Sequence, residues 1–80
     1  MKIPRDVNGE KLASALQFFG YSVSRQTGSH IRLTAQQHGE HHVTIPAHKP
    51  LKIGTLNSIL NDISEHFGIS KEEIITSLKI

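Results

Sequence analysis

The residues best suited to moving a proton or holding a phosphate lie in one short run, Arg25-Gln26-Thr27-Gly28-Ser29-His30-Ile31-Arg32. If Ile31 and Leu33 point into a core, strand pleating sends His30 and Arg32 to the opposite, open face. A histidine at the start of a strand, just after a glycine turn, is held on firm backbone yet stays accessible. Its ordinary pKa, near 6.5, suits it to give or take a proton at neutral pH. Arg25 and Arg32 have the planar fork that binds phosphate oxygens in pairs. Taken alone, a histidine on an exposed strand face is usually only a tolerated polar residue, with ordinary arginines beside it.

A second run, Pro46-Ala47-His48-Lys49-Pro50-Leu51-Lys52-Ile53-Gly54-Thr55, places Lys49 and Lys52 just ahead of a helix start. Free backbone N–H groups at Gly54-Thr55, together with the positive end of the helix dipole, favour an anion there. The bland alternative is a proline-shaped loop with solvated lysines and a capping threonine. A third group, His38, His41 and His42 around Gly39, has ligands suited to zinc or nickel. On a strand, however, His41 and His42 face opposite sides, Glu40 is the one nearby acid and cysteine is absent, so an exposed polar turn is the default and no metal is assigned. No nucleotide-binding glycine loop, nucleophile elbow or carboxylate pair occurs; Glu65, Glu72 and Glu73 fall on helical surface. No cofactor is expected.

The elements that must position these residues follow from periodicity. After Asn8, an N-cap, Leu12, Ala15, Leu16 and Phe19 recur at helical spacing and Gly20 supplies the stop. From Tyr21 the period becomes two: Tyr21 and Val23 alternate with Ser22 and Ser24, predicting a half-buried strand that ends near Thr27-Gly28. A second strand carries Ile31 and Leu33 inward, and a turn at Gln37-His38-Gly39 leads to a third with Val43 and Ile45 inward and His42 and Thr44 outward. Pro46 and Pro50 close the sheet. Thr55 is expected to cap a second helix with the stripe Leu56, Ile59, Leu60, Ile63 and Phe67, ending at Gly68. Ser70 with Glu73 has the form of a capping box for a short last helix through Ile74, Ile75 and Leu78. The expected class is α+β: helix, three antiparallel strands, helix, then a short C-terminal helix, with the helices on one sheet face and the other face wet.

Eighty residues make one domain, 1–80, with a modest core; a chain this short buries only about 60% of its unfolded surface. Net charge is +2, but residues 1–52 hold seven Lys and Arg against three acids, while residues 53–80 hold two against four. Five of the six histidines lie between His30 and His48. A basic, histidine-rich front half points to a polyanion partner, although slightly basic proteins with merely solvated charges are common. Cysteine is absent, residues 1–6 lack the apolar run of a signal peptide, and no stretch approaches the ~20 apolar residues of a membrane span, so a cytoplasmic location is expected.

Taken in order, these segments resemble the HicA toxin family. Ile3-Pro4-Arg5 resembles its opening, and Gly9 through Leu16 to Phe19-Gly20-Tyr21 its first helix and aromatic exit. Arg25-Gln26-Thr27-Gly28-Ser29-His30 matches its R-Q-x-G-S-H signature, Val43-Thr44-Ile45-Pro46-Ala47-His48 resembles its strand end, and Lys52 through Leu60 its second helix start. The resemblance implies a double-stranded-RNA-binding-like fold. It also implies an mRNA interferase, an endoribonuclease held inactive by a HicB antitoxin, whose catalytic histidine falls on His30. On that reading Arg25 or Arg32 faces the scissile phosphate, and Lys49, Lys52, Gly54 and Thr55 anchor a neighbouring one. His48 is the candidate for a second proton-transfer group, and Ser29 is read as structural. The histidine-rich 36–42 hairpin and the tail beyond Gly68 depart from the family pattern. Two rival readings are a non-catalytic RNA-binding module of the same fold and a pure protein-interaction domain.

Overall fold

The computed structural model describes residue 4 and residues 6–80; Ile3 and Arg5 of the family-like opening lie outside the described residues. Asn8 caps the first helix, its side-chain oxygen accepting the Lys11 N–H at 2.7 Å, which satisfies a first-turn donor that has no partner within the helix. Helix α1 spans Gly9–Ala15 and tightens into a 3-10 turn over Leu16–Phe19, a usual way for a helix to finish. Gly20 ends it at φ 87°, the left-handed conformation glycine adopts without strain. Leu12, Leu16 and Phe19 face inward with Ala13, while Ala15 is only partly covered. Gly9 is required by close approach: a side chain there would run into the Pro46 carbonyl, so the helix start sits hard against the end of the third strand.

Strands β1 (Ser22–Gln26), β2 (His30–Ala35) and β3 (His41–Pro46) form one antiparallel sheet in the order β1-β2-β3. In β2 and β3 the alternation is as predicted. Ile31, Leu33, Ala35, Val43 and Ile45 are buried on one face, and His30, Arg32, His42 and Thr44 are exposed on the other. The β2–β3 turn holds His38 and Gly39 at positive φ. Helix α2 (Ile53–Phe67) packs Leu56, Ile59, Leu60 and Ile63 into the same core and stops at Gly68, φ 68°. Ser70 accepts the Glu73 N–H at 3.1 Å and opens α3 (Lys71–Leu78), which buries Ile74 and Leu78. All three helices thus serve one sheet face. Truncating a central residue such as Leu33 costs about 2–5 kcal/mol. Among the described residues no helix is long and apolar enough to cross a membrane.

Two expectations are corrected. The first strand is not half-buried: Tyr21, just before it, is sealed in the core, but every residue of β1 is exposed and Val23 is 49% accessible. Helix α1 lies over β2 and β3, so the edge strand projects beyond the helical cover. The alternation is also interrupted by a bulge between Val23 and Arg25. Thr55 does not cap α2. The helix begins at Ile53, with Lys52 in the cap position and no side chain closing it, which makes Thr55 its third residue. Leu51 is buried and its N–H donates to the Val7 carbonyl at 2.8 Å. The chain is therefore already anchored when it enters the helix, and the turn forms two residues ahead of the threonine.

Candidate active site

The turn between β1 and β2 is braced by its own polar groups. Thr27 N–H donates to the His30 carbonyl at 2.9 Å, and the His30 N–H donates to Thr27 Oγ1 at 3.3 Å. Across the sheet, Ala47 N–H donates to the Ser29 carbonyl at 2.9 Å, and His30 pairs with Pro46. These bonds fix the His30 backbone on three sides. Its ring stays exposed, with Nδ1 2.9 Å from Ser29 Oγ. Among the described residues Nε2 has no hydrogen-bond partner and faces solvent.

The bulge decides where Arg25 goes. Strict alternation from Val23 would put it on the helix-facing side, yet its register partner is Arg32, while Val23 is paired with Leu33 and Gln26 with Ile31. Partners across an antiparallel pair share a face, so Arg25 and Arg32 stand opposite each other on the open face that carries His30. Among the described residues neither guanidinium has a carboxylate in ion-pair contact. Like charges set directly opposite repel, and an anion laid across both removes that cost.

The second run is assembled differently. His48, Lys49 and Lys52 are exposed on the segment that leaves β3, and Gly9 N–H donates to the His48 carbonyl at 3.0 Å. Gly54 is exposed and Thr55 half-buried in the first turn of α2, which holds no acidic residue. His48 lies two residues beyond Pro46, the partner of His30, but among the described residues no side-chain hydrogen bond joins the two histidines. The structure thus brings Arg25, His30 and Arg32 onto one surface, with the His48–Lys52 segment leaving from its border.

The hairpin histidines are occupied elsewhere. His41 Nε2 lies 3.4 Å from Asp62 Oδ1, and Nδ1 lies 2.7 Å from the Tyr21 hydroxyl. The Asp62 carboxylate beside Nε2 favours a proton there, which leaves Nδ1 as an acceptor for the phenol. Burial pushes the Tyr21 phenol up to about 12, with Asp62 adding to the shift, so Tyr21 is a neutral donor at ordinary pH. The His41 ring stacks on His66 at 4.2 Å and 12°, and His66 Nε2–H donates to the Gln37 and Gly39 carbonyls at 2.9 and 3.2 Å. His38 sits edge-on to Phe67. His42 faces the other side: Nδ1 is 2.9 Å from Thr34 Oγ1, and Nε2 is 2.8 Å from Glu40 Oε2. Hydrogen bonds from His42 and then Gln36 hold the Glu40 carboxyl below its usual range. Among the described residues no three His, Asp or Glu side chains are arranged to hold a metal ion.

A family model described as HicA toxin of bacterial toxin-antitoxin matches residues 9–64. The chain belongs to the HicA toxin family. No curated protein and no solved structure matches it. The HicA match takes in α1, the whole sheet, the His48–Thr55 segment and most of α2, and therefore every candidate site residue. It stops short of Gly68 and α3 and begins after the family-like opening. Reading by residue type did not find the brace from Thr27 to His30, though a Thr-Gly-Ser turn, rich in groups that bond nearby backbone, carries that signal. The coupling of Tyr21, His41 and Asp62 had no local signal, because its members are far apart in the chain.

Proposed function

We propose that this chain is the toxin of a type II toxin-antitoxin pair, an endoribonuclease that cleaves mRNA in the cytoplasm and is neutralised by a HicB antitoxin. The observation that carries the reading is His30 itself. It is an exposed imidazole on braced backbone, with Nε2 unengaged, in the run that matches the family signature.

RNA supplies its own nucleophile, the ribose 2′-OH, so the protein needs only to orient it, move protons and stabilise charge. In the proposed reaction the 2′ oxygen bonds to phosphorus as its proton passes to His30 Nε2. The bond to the 5′ oxygen breaks, and that oxygen takes up a proton from His48 or from water. The Arg25–Arg32 pair faces the phosphate whose charge grows, and Lys49, Lys52 and the α2 start at Gly54-Thr55 hold a neighbouring one. General acid–base transfer contributes about 10²–10⁴-fold, roughly 3–5.5 kcal/mol, and charge stabilisation and positioning supply the rest. Neither step calls on a metal or a nucleotide cofactor.

The test is labelled RNA incubated with purified protein in chelator. Cleavage by the parent and none by a folded His30→Ala variant is the expected result. A folded variant that cuts at the parental rate overturns the assignment. RNA that shifts on a gel but stays intact with the parent replaces it with the non-catalytic binding module.

A further inference from the structure

We propose that Ser29 is a positioning residue for His30, and that its hydroxyl keeps the ring aimed while letting Nε2 face RNA either bare or protonated. The proposal rests on the reading of His30 as the proton-transfer group. Three observations lead to it.

Ser29 is held firmly enough to aim anything. Its carbonyl accepts from Ala47 across the sheet, and the next residue is tied twice to Thr27. The Oγ–Nδ1 distance of 2.9 Å is a full hydrogen bond. Among the described residues it is also the one side-chain hydrogen bond the His30 ring makes, so nothing else orients it.

The chemistry of the partner matters as much as its place. Three other histidines each have one ring nitrogen against a group that only accepts, Asp62 at His41, Glu40 at His42 and two carbonyls at His66, even where the other nitrogen of His41 and His42 meets a hydroxyl. An acceptor fixes the proton on the nitrogen it touches, and a carboxylate also favours the charged ring. A hydroxyl both donates and accepts. When Nε2 is bare, Nδ1–H donates to Ser29 Oγ. After Nε2 takes a proton, the same bond persists. When the neutral ring carries its single proton on Nε2 instead, the Ser29 O–H rotates and donates to the bare Nδ1. One small side chain therefore supports every state that a lone proton-transfer histidine passes through.

The experiment compares Ser29→Ala, Ser29→Thr and His30→Ala with the parent, using single-turnover cleavage and nitrogen NMR of the His30 ring in RNA-free protein. Ser29→Ala is expected to lower kcat about tenfold with KM nearly unchanged, and to redistribute the ring proton between Nδ1 and Nε2. Ser29→Thr keeps the hydroxyl and is expected to restore both. Parental kcat in Ser29→Ala, an unchanged ring spectrum, or a Ser29→Thr variant as impaired as Ser29→Ala overturns the proposal while an inactive His30→Ala leaves the nuclease reading standing. An active His30→Ala removes that reading and this one with it.

Discussion

Histidines gather at two ends of this sheet, and the two ends use them in opposite ways. At the hairpin end both ring nitrogens of His41 and His42, and Nε2 of His66, are set against Tyr21, Asp62, Thr34, Glu40 and backbone carbonyls, and two of the rings stack. At the other end His30 has a braced backbone, one hydroxyl partner and a free nitrogen. The residue type is the same; what differs is whether a lone pair or proton is left for something outside the protein. The committed nitrogens tie the hairpin end together and, through His41 and His66, to α2, whereas an uncommitted nitrogen on fixed backbone is equipped to act on a ligand.

The two ends are expected to respond separately to mutation. His30→Ala should lower RNA cleavage by at least about 100-fold and leave the melting temperature unchanged, which cleavage assays and calorimetry on the same sample check. Tyr21→Phe should do the reverse. It strands the partly buried Nδ1 of His41 and should cost about 1–2 kcal/mol of stability with cleavage retained, read by denaturant unfolding.

The same phenol gives a pH signature. Its folded pKa lies above the ordinary value of 10, near 12, so its stabilising effect is intact below pH 10 and is lost as pH rises from 10 towards 12. Tyr21 is the chain's one tyrosine and tryptophan is absent, so phenolate absorbance reports this group alone. Titration near 10 in the folded protein would contradict the buried network. The smallest effect is expected at His42→Ala, where both partners are exposed: less than about 1 kcal/mol and no change in cleavage. A large loss of activity there would move part of the site to the hairpin end.

Local chemistry made much of this fold legible. Asn8, Gly20, Gly68 and Ser70 each mark a helix end through a conformation or a hydrogen bond made within a few residues. The alternation of Ile31 and Leu33 put His30 and Arg32 on the open face for the same reason. Val23 looked like a core residue because periodicity tells which way a side chain points, not whether a helix lies over it. Thr55 looked like a cap because nothing nearby in sequence shows that Leu51 is pinned to Val7. For Arg25 the deciding fact was one extra residue in the pairing with β2, which no composition signal announces.

That extra residue has a second effect. β1 forms an open border of the sheet, and a straight border offers its unpaired amides and carbonyls to any passing extended chain. With the ladder interrupted at Ser24 and a guanidinium planted next to it, there is no flat run long enough to extend. The irregularity that pairs the two arginines also makes this border of the sheet a poor template for an added strand.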